Sequence, residues 1–155
     1  MKRYEIVKNY VYEQFSKINH IPVRIAALTH TSQVDACITF LAIARGHKLE
    51  RAKITALFHD YAQYIDNCPH SQHAKYSSLH AHNYLESTNL FSTIEIDDIC
   101  YAISQHSFKD QVDSPLCELI KDADVLARFL ENPNASFTET QKKRLLKACA
   151  DIQVN

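Results

Sequence analysis

The sequence predicts an all-α fold, and two observations lead to that prediction. Gly46 is the only glycine and there are four prolines among 155 residues, so the residues that most often interrupt helices are scarce. Apolar residues recur at the three- and four-residue spacing of helices, and no segment alternates apolar and polar residues over a useful length. We therefore expect a compact bundle of about six or seven helices.

Two helices are expected before Gly46. From about Arg3 to Ile18, apolar residues at helical spacing predict a first amphipathic helix; they are Ile6, Tyr10, Val11, Phe15 and Ile18. After an interruption at residues 19–22, a second helix is expected to run to about Arg45, with Gly46 as its C-terminal cap. The inward-facing residues of this helix are expected to be His30, Val34, Cys37, Leu41 and Ala44.

Two further helices are expected in the middle of the chain. The third covers about Leu49 to Ile65, and His59 and Asp60 lie at the edge of its apolar face. A turn at residues 66–69 follows it. The fourth helix runs from about Ser71 to Glu86, with four residues along one side: His73, Ser77, His80 and Tyr84.

Three more helices complete the predicted fold. The fifth starts near Thr93, and its apolar stripe continues through Ile103 to His106. The sixth helix is expected to begin at Ser114 and Pro115, which suit its N-cap and first position. Pro133 ends this helix, and Asp124 flanks its apolar face. Residues 138–141 form a capping-box pattern for a last helix over about residues 141–152.

Length, charge and cysteine content predict one soluble cytoplasmic domain spanning residues 1–155. The net charge of −1 creates no field that would attract nucleic acid or an anionic membrane. The five cysteines are an odd number and include no Cys-x-x-Cys, which disfavours disulfides and a cysteine-based zinc site. No apolar run has transmembrane length, and no signal-peptide core follows Met1.

Several polar residues of metal-ligand types stand on or beside the apolar stripes of separate helices. They are His30, the adjacent pair His59 and Asp60, His106, and Asp124. An ionised carboxylate is costly to bury unless it is paired, and a metal ion is one of the few partners that offset this cost. Hydrogen bonding to a backbone carbonyl in the core explains any one of these histidines. A set on facing helices favours metal binding instead.

In their order, these residues resemble the HD-domain family of metal-dependent phosphohydrolases. His30, His59–Asp60 and Asp124 reproduce the family's order H…HD…D. Residues 56–60 (Ala-Leu-Phe-His-Asp) resemble its apolar-apolar-H-D helix. Residues 123–126 (Ala-Asp-Val-Leu) resemble its A-D-x-L element, which favours Asp124 over Asp122 as the ligand. The resemblance covers about residues 22–130, and the N- and C-terminal helices flank it.

Two more histidines resemble those of the subgroup that holds two metals. His73, with the serine, alanine and leucine that follow at four-residue intervals, resembles an H-x-x-x-S-x-x-x-A-x-x-x-L helix. Residues 102–107 (Ala-Ile-Ser-Gln-His-Ser) resemble the A-I-x-x-H-S segment around its later histidine, here His106. His70 and His80 lie close enough in the sequence to replace His73, so the identity of this ligand stays open.

The resemblance implies one or two divalent transition metals. His30, His59, Asp60 and Asp124 would hold one ion, and Asp60 would bridge to a second ion held by His73 and His106. Such a nitrogen-rich set favours Fe, Mn, Co, Ni or Zn over Mg. His59 and Asp60 would be the catalytic pair. Lys75 and Lys109, each close in sequence to a proposed ligand, are candidates for binding the substrate phosphate.

The expected activity is hydrolysis of a phosphate ester or anhydride on a small molecule, with a nucleotide as the leading candidate, by attack of metal-bound hydroxide on phosphorus. Two departures from the family bear on the substrate. Gln63 stands where many relatives have the lysine of H-D-x-A-K. The segment after His106 lacks the glycine of the H-T-x-G motif found in enzymes that split symmetrical dinucleoside tetraphosphates. Without glycine the backbone approaches a phosphate less closely, which disfavours that substrate.

Two other interpretations belong to different classes of protein. One is a non-catalytic HD module that binds a metal or nucleotide and signals through a partner. The other is a purely structural helical domain whose histidines are core hydrogen-bonding residues. The absence of an extended basic segment argues against a polynucleotide substrate. The sequence does not indicate an oligomeric state.

Overall fold

The computed structural model describes residues 1–152, and these residues form eight α-helices without a strand. The helices are Lys2–Ser16 (α1), Ile21–Ala44 (α2), Leu49–Phe58 (α3), Tyr61–Ile65 (α4), His73–Thr88 (α5), Thr93–Gln105 (α6), Pro115–Glu131 (α7) and Glu139–Asp151 (α8). The predicted all-α fold is confirmed. Within the described range, no helix combines the length and apolar character needed to span a bilayer. The predicted domain limit at residue 155 lies outside the described residues.

The helix predicted over residues 49–65 is divided in two, which raises the number of helices above the expected six or seven. α3 ends at Phe58 and α4 begins at Tyr61. The amide of Ala62 donates to Ser77 Oγ of α5 at 2.9 Å, where a continuous helix would bond it to a carbonyl one turn earlier. Asp60 is therefore left outside both helices, at φ −110° and ψ 14°.

Two apolar clusters hold the helices together. One joins α2, α3, α7 and α8 and includes Leu41, Ile120 and Ala148. The other joins α1 to α6 and includes Phe15, Ala27 of α2 and Phe58. Both clusters draw on α2 and α3, so these two helices are held from both sides.

The predicted apolar stripe of α1 is partly wrong. Ile6 is 45 % exposed, whereas Tyr4 and Val7 are buried. The hydroxyl of Tyr4 donates to Asp35 of α2 at 2.8 Å, so a polar partner makes burial of the tyrosine favourable and turns Ile6 outward. The sequence pattern of α1 alone does not indicate this partner.

Five elements bring the proposed site residues together. His30 lies in α2, and His59 and Asp60 form the junction between α3 and α4. His73 is the first residue of α5, and His106 caps the C-terminus of α6. Asp124 lies in α7, which packs against α2.

Candidate metal centre

Asp60 lies at the centre of a cluster of four histidines. Its Oδ2 is 3.5 Å from His30 Nε2 and 3.4 Å from His59 Nε2. Its Oδ1 is 3.0 Å from His73 Nε2 and 3.1 Å from His106 Nε2. One carboxylate is thus shared by two groups of ligand-type atoms, each able to surround a metal ion.

Asp124 adds a second carboxylate to the group that contains His30. Its Oδ1 lies 3.4 Å from His30 Nε2. Asp122, two residues earlier on α7, instead forms ion pairs with Arg45 and Arg144 and is fully buried away from the cluster. Of the two aspartates, the structure brings Asp124 to the site.

The ring orientations suit a set of metal ligands. Nδ1 of His59, His73 and His106 donates to the backbone carbonyl three residues earlier, at 2.8, 2.5 and 2.7 Å respectively. Because a carbonyl only accepts, each neutral ring presents an unprotonated Nε2 to the cluster.

Two such lone pairs need a positive charge between them, which a metal ion supplies and which, without a metal, a proton shared in an N–H···N hydrogen bond supplies. His73 Nε2 and His106 Nε2 lie 3.1 Å apart, a distance at which unprotonated nitrogens repel each other. A metal with nitrogen ligands at about 2.1 Å holds neighbouring ligand atoms about 3.0 to 3.4 Å apart in octahedral or tetrahedral geometry. The donor types and their separations therefore fit a divalent transition ion.

Glu131 belongs to the site, although it is not among the residues predicted from the sequence. Its Oε1 accepts from His30 Nδ1 at 2.7 Å. A carboxylate on the far nitrogen of a metal-binding histidine fixes the ring and increases its basicity. Glu131 follows Asp124 by seven residues, two turns of α7, so both point the same way. That spacing is the signal available in the sequence.

The structure brings His73, among the three alternative histidines, into the cluster. His80 Nε2 instead binds Asp66 Oδ2 at 2.7 Å near the protein surface. The ring of His70 stacks on that of His73 at 4.7 Å between centroids. His70 therefore lies beside the cluster and supplies the carbonyl that orients His73.

The two lysines considered for substrate binding have different surroundings. Lys109 Nζ donates to Asp124 Oδ2 at 2.5 Å and to the carbonyl of His106 at 2.6 Å. Lys75 is exposed on α5, with its Nζ 5.8 Å from the ring centroid of Tyr76. Within residues 1–152, Lys109 lines the cavity next to the cluster and Lys75 does not. Of the two lysines, Lys109 is therefore the candidate for contact with a substrate in this cavity.

The cluster opens into a cavity of about 820 Å³. Apolar side chains from α2 and α4 form part of its wall, namely Pro22, Ile25, Ala26 and Tyr64. Lys109 and Arg128 contribute positive charge, and Gln33 and Gln63 contribute neutral polar groups. The carboxylates of Asp60, Asp124 and Glu131 also line it, so an anionic molecule with an apolar portion matches this lining when metal ions offset their charge.

Residues 24–128 match the family model described as the HD domain. The chain belongs to the HD-domain family. The matched segment makes up about two thirds of the chain and contains His30, His59, Asp60, His73, His106 and Asp124. It ends before α8 begins. The family resemblance recognised in the sequence is thereby confirmed.

A solved structure resembles this HD domain in fold. It is titled a predicted HD superfamily hydrolase from an uncultured Thermotogales bacterium. The two chains are 23 % identical, the TM-score is 0.66, and the likeness covers 94 % of this chain and 84 % of the other. No curated protein shows a significant match. At this identity the likeness shows the fold, while family membership supports metal-dependent hydrolysis as the class of activity.

The surroundings of the HD-domain carboxylates keep them ionised. Burial raises the pKa of the Asp60 carboxyl, but the neighbouring histidines outweigh it and hold that pKa well below its usual value. For Asp124, burial again raises the pKa, and Lys109 and His30 lower it well below the usual value. Burial lowers the pKa of His106 to about 4, so its ring is neutral near pH 7. These are the ionisation states that metal ligands require.

We expect the metal affinity of the HD domain to rise with pH. Burial lowers the pKa of His30, but Asp124, Asp60 and Glu131 outweigh burial and raise it. In the metal-free protein His30 is therefore protonated at neutral pH, and this proton must leave when Nε2 binds a metal. Lowering the pH from about 8 to about 6 should weaken Mn²⁺ binding. Calorimetric titration in buffers of different ionisation enthalpy measures the released protons, and equal apparent enthalpies in all buffers would contradict the expectation.

The Ser77 hydroxyl should matter for metal binding as well as for stability. Ser77→Ala removes the acceptor of the Ala62 amide and leaves that buried group unpaired, which should cost about 1–3 kcal/mol of unfolding free energy. It should also weaken metal binding, because Asp60 lies in the turn that this hydrogen bond stabilises. Ser78→Ala is the matched control, since Ser78 donates to the Cys100 carbonyl at 2.7 Å. Urea denaturation should show that the Ser78→Ala control is less stable than the wild type, while its Mn²⁺ affinity should be unchanged. Equal Mn²⁺ affinity in the two variants would refute the role of Ser77 in positioning Asp60.

Proposed function

We propose that this HD domain hydrolyses a phosphate ester or anhydride on a small molecule, and that the substrate is a nucleotide. The observation that carries the proposal is the position of Asp60. Its two oxygens face separate groups of imidazole nitrogens, and Asp60 itself lines an open cavity of about 820 Å³. A purely structural role for the histidines gives no reason for such a cavity above them.

The donor set supports a metal-dependent reaction on an anionic substrate. We assign His30, His59, Asp60 and Asp124 to one ion, and Asp60, His73 and His106 to a second. Four neutral imidazoles and two carboxylates leave two divalent ions with a residual charge of about +2. When bound, such ions lower the pKa of a water molecule and neutralise charge on phosphoryl oxygens. The nitrogen-rich set favours Fe, Mn, Co, Ni or Zn.

His59 and Asp60 have different roles in this proposal. His59 is fully buried, and its ring is held by the carbonyl of Ala56, which suits a terminal ligand with a fixed orientation. Asp60 presents both oxygens to the cluster and lines the cavity, which suits a bridge between two ions. Asp60 is therefore the residue on which both metal positions depend.

The lining of the cavity supports phosphate binding next to an apolar group. Lys109 Nζ already lies against a carboxylate oxygen of Asp124, and a phosphoryl oxygen arriving there accepts a charge-assisted hydrogen bond from the same ammonium. Arg128 offers a second positive group in the same cavity. The apolar wall formed with Ile25 and Tyr64 gives a nucleobase a surface to pack against.

Metal analysis combined with a panel of nucleotides tests the proposed function. We expect the purified protein to contain or bind a transition metal and to release phosphate, or a nucleoside monophosphate, from at least one nucleotide. Protein that binds no transition metal and leaves every nucleotide intact would contradict the proposal. Tight nucleotide binding without turnover over a long incubation would instead identify a non-catalytic binding module.

A further inference from the structure

The segment between α6 and α7, residues 106–114, carries His106 and Lys109 into the cavity. It contains neither helix nor strand. Its backbone forms turns closed by isolated hydrogen bonds, such as the bond from the Phe108 amide to the Gln105 carbonyl at 3.0 Å. Backbone carbonyls in such a segment need partners from elsewhere in the fold. The source of these partners decides how firmly the two site residues are held.

Arg144 of α8 supplies two of these partners. Its Nε donates to the Lys109 carbonyl at 2.8 Å, and its Nη2 donates to the Gln111 carbonyl at 3.0 Å. Nη1 of the same guanidinium donates to Asp122 Oδ1 at 2.7 Å and to Glu118 Oε2 at 2.9 Å. One planar group therefore ties the segment to both α7 and α8.

Buried charges around Arg144 reinforce this connection. Lys121 is fully buried and donates to the Gln111 carbonyl at 2.9 Å and to Asp113 Oδ2 at 2.5 Å. Asp122 is also fully buried and pairs with Arg45 as well as with Arg144. Removing one partner from such a network leaves the others unpaired in a region of low dielectric.

We propose that Arg144 is a positioning residue, which holds residues 106–114 in the conformation that brings His106 to Asp60 and Lys109 to Asp124. This inference rests on the proposed function, because that function assigns a metal to His106 and a substrate contact to Lys109.

Arg144 lies outside the part of the chain that matches the family model. α8 lies beyond residues 24–128, the part that matches the HD-domain model. A helix outside the family match thus stabilises the geometry of a site within it. The hydrogen bonds of Arg144 run to two backbone carbonyls and to Glu118 and Asp122, none of them a proposed ligand, so it acts through the backbone that it bonds.

Arg144→Lys separates the charge of Arg144 from its shape. Lysine keeps the positive charge but lacks the planar fork that reaches two carbonyls and two carboxylates at once. In the metal-free variant we expect amides of residues 107–113 to exchange hydrogen about tenfold faster. In a Co²⁺ titration we expect affinity for the second ion to fall about 10- to 100-fold, the range for groups that orient ligands. Affinity for the first ion, bound by His30, His59, Asp60 and Asp124, should fall much less, because none of these ligands lies in residues 106–114.

Arg3→Lys is a matched control, because the hydrogen bonds of Arg3 reach neither residues 106–114 nor a proposed ligand. Arg3 also forms a multiple contact, from Nε to Glu50 at 2.9 Å, from Nη1 to the Leu90 carbonyl at 3.2 Å and from Nη2 to Glu95 at 3.0 Å. It joins α1 to α3 and to the start of α6, away from the cluster. We expect Arg3→Lys to leave exchange at residues 107–113 and both Co²⁺ affinities unchanged.

The two readouts separate this inference from the proposed function. Wild-type exchange rates at residues 107–113 in Arg144→Lys would overturn the positioning role. Equal loss of Co²⁺ affinity in Arg3→Lys would overturn it too, because it would indicate general destabilisation. If the wild type binds fewer than two Co²⁺ ions, the two-metal assignment is wrong, while the exchange comparison by itself still decides the role of Arg144.

Discussion

Asp60→Asn should abolish hydrolysis, lowering turnover by about 10³-fold or more, which corresponds to about 4 kcal/mol of transition-state stabilisation. Asparagine has nearly the shape of aspartate, so the turn between α3 and α4 can persist. The negative charge is lost, however, and so is one of the two oxygens that face the separate histidine groups. Metal analysis of the purified variant should therefore show fewer bound ions than the wild type.

Asp66→Asn is the matched control for this variant. Asp66 is an exposed residue six positions later, and its carboxylate binds His80 at the protein surface. The same chemical change there should leave both metal content and turnover at the wild-type level. Full activity in Asp60→Asn, or an equal loss in Asp66→Asn, would refute the assignment of Asp60 as the shared ligand.

Removal of bound metal should lower the melting temperature by about 10 °C. A ligand at about 1,000 times its dissociation constant stabilises the folded state by about 4 kcal/mol, and each kcal/mol corresponds to about 2–4 °C for a chain of this size. Without metal, the Nε2 atoms of His73 and His106 have no cation between them other than a proton. Differential scanning calorimetry with and without a chelator measures the shift.

Addition of chelator to the Asp60→Asn variant provides the control for that experiment. A variant that has lost the shared ligand should respond to the chelator by much less than the wild type. An unchanged melting temperature in the wild type would favour a purely structural helical domain, in which the histidines serve only as hydrogen-bonding core residues.

Three of the metal ligands predicted from the sequence share one property. His30, His106 and Asp124 are polar residues at or beside positions where helical periodicity predicts apolar side chains. α7 packs against both α2 and α6, so the pattern within each helix, together with the family's order of residues, indicated one site. The fold class followed from the same periodicity.

Other parts of the site depend on contacts between helices that periodicity does not encode. His70, His73 and His80 occur within eleven residues. The family resemblance favours His73, and the packing of α5 against α4 and α6 brings it to Asp60. Glu131 lies at the end of α7, where a charged residue is expected at the surface, and its contact with His30 depends on α2. The break after Phe58 requires the hydroxyl of Ser77 from another helix.

The ion-pair network around Arg144 could not be predicted from the sequence, for a related reason. Lys121 and Asp122 are charged residues, which periodicity places at the surface, yet both are fully buried. Their burial is tolerable because partners from α8 and from the segment before α7 meet them there. Such compensation arises only when distant parts of the chain are folded together.

The hydrogen bonds that orient His59, His73 and His106 bear on how the protein acquires its metal. Each bond runs to the protein's own backbone, so the orientation of the rings does not depend on another side chain. The ligands are distributed from residue 30 to residue 124 and converge only once the helices have packed. We therefore expect a folded pocket, rather than the nascent chain, to select among the metals that the cell supplies.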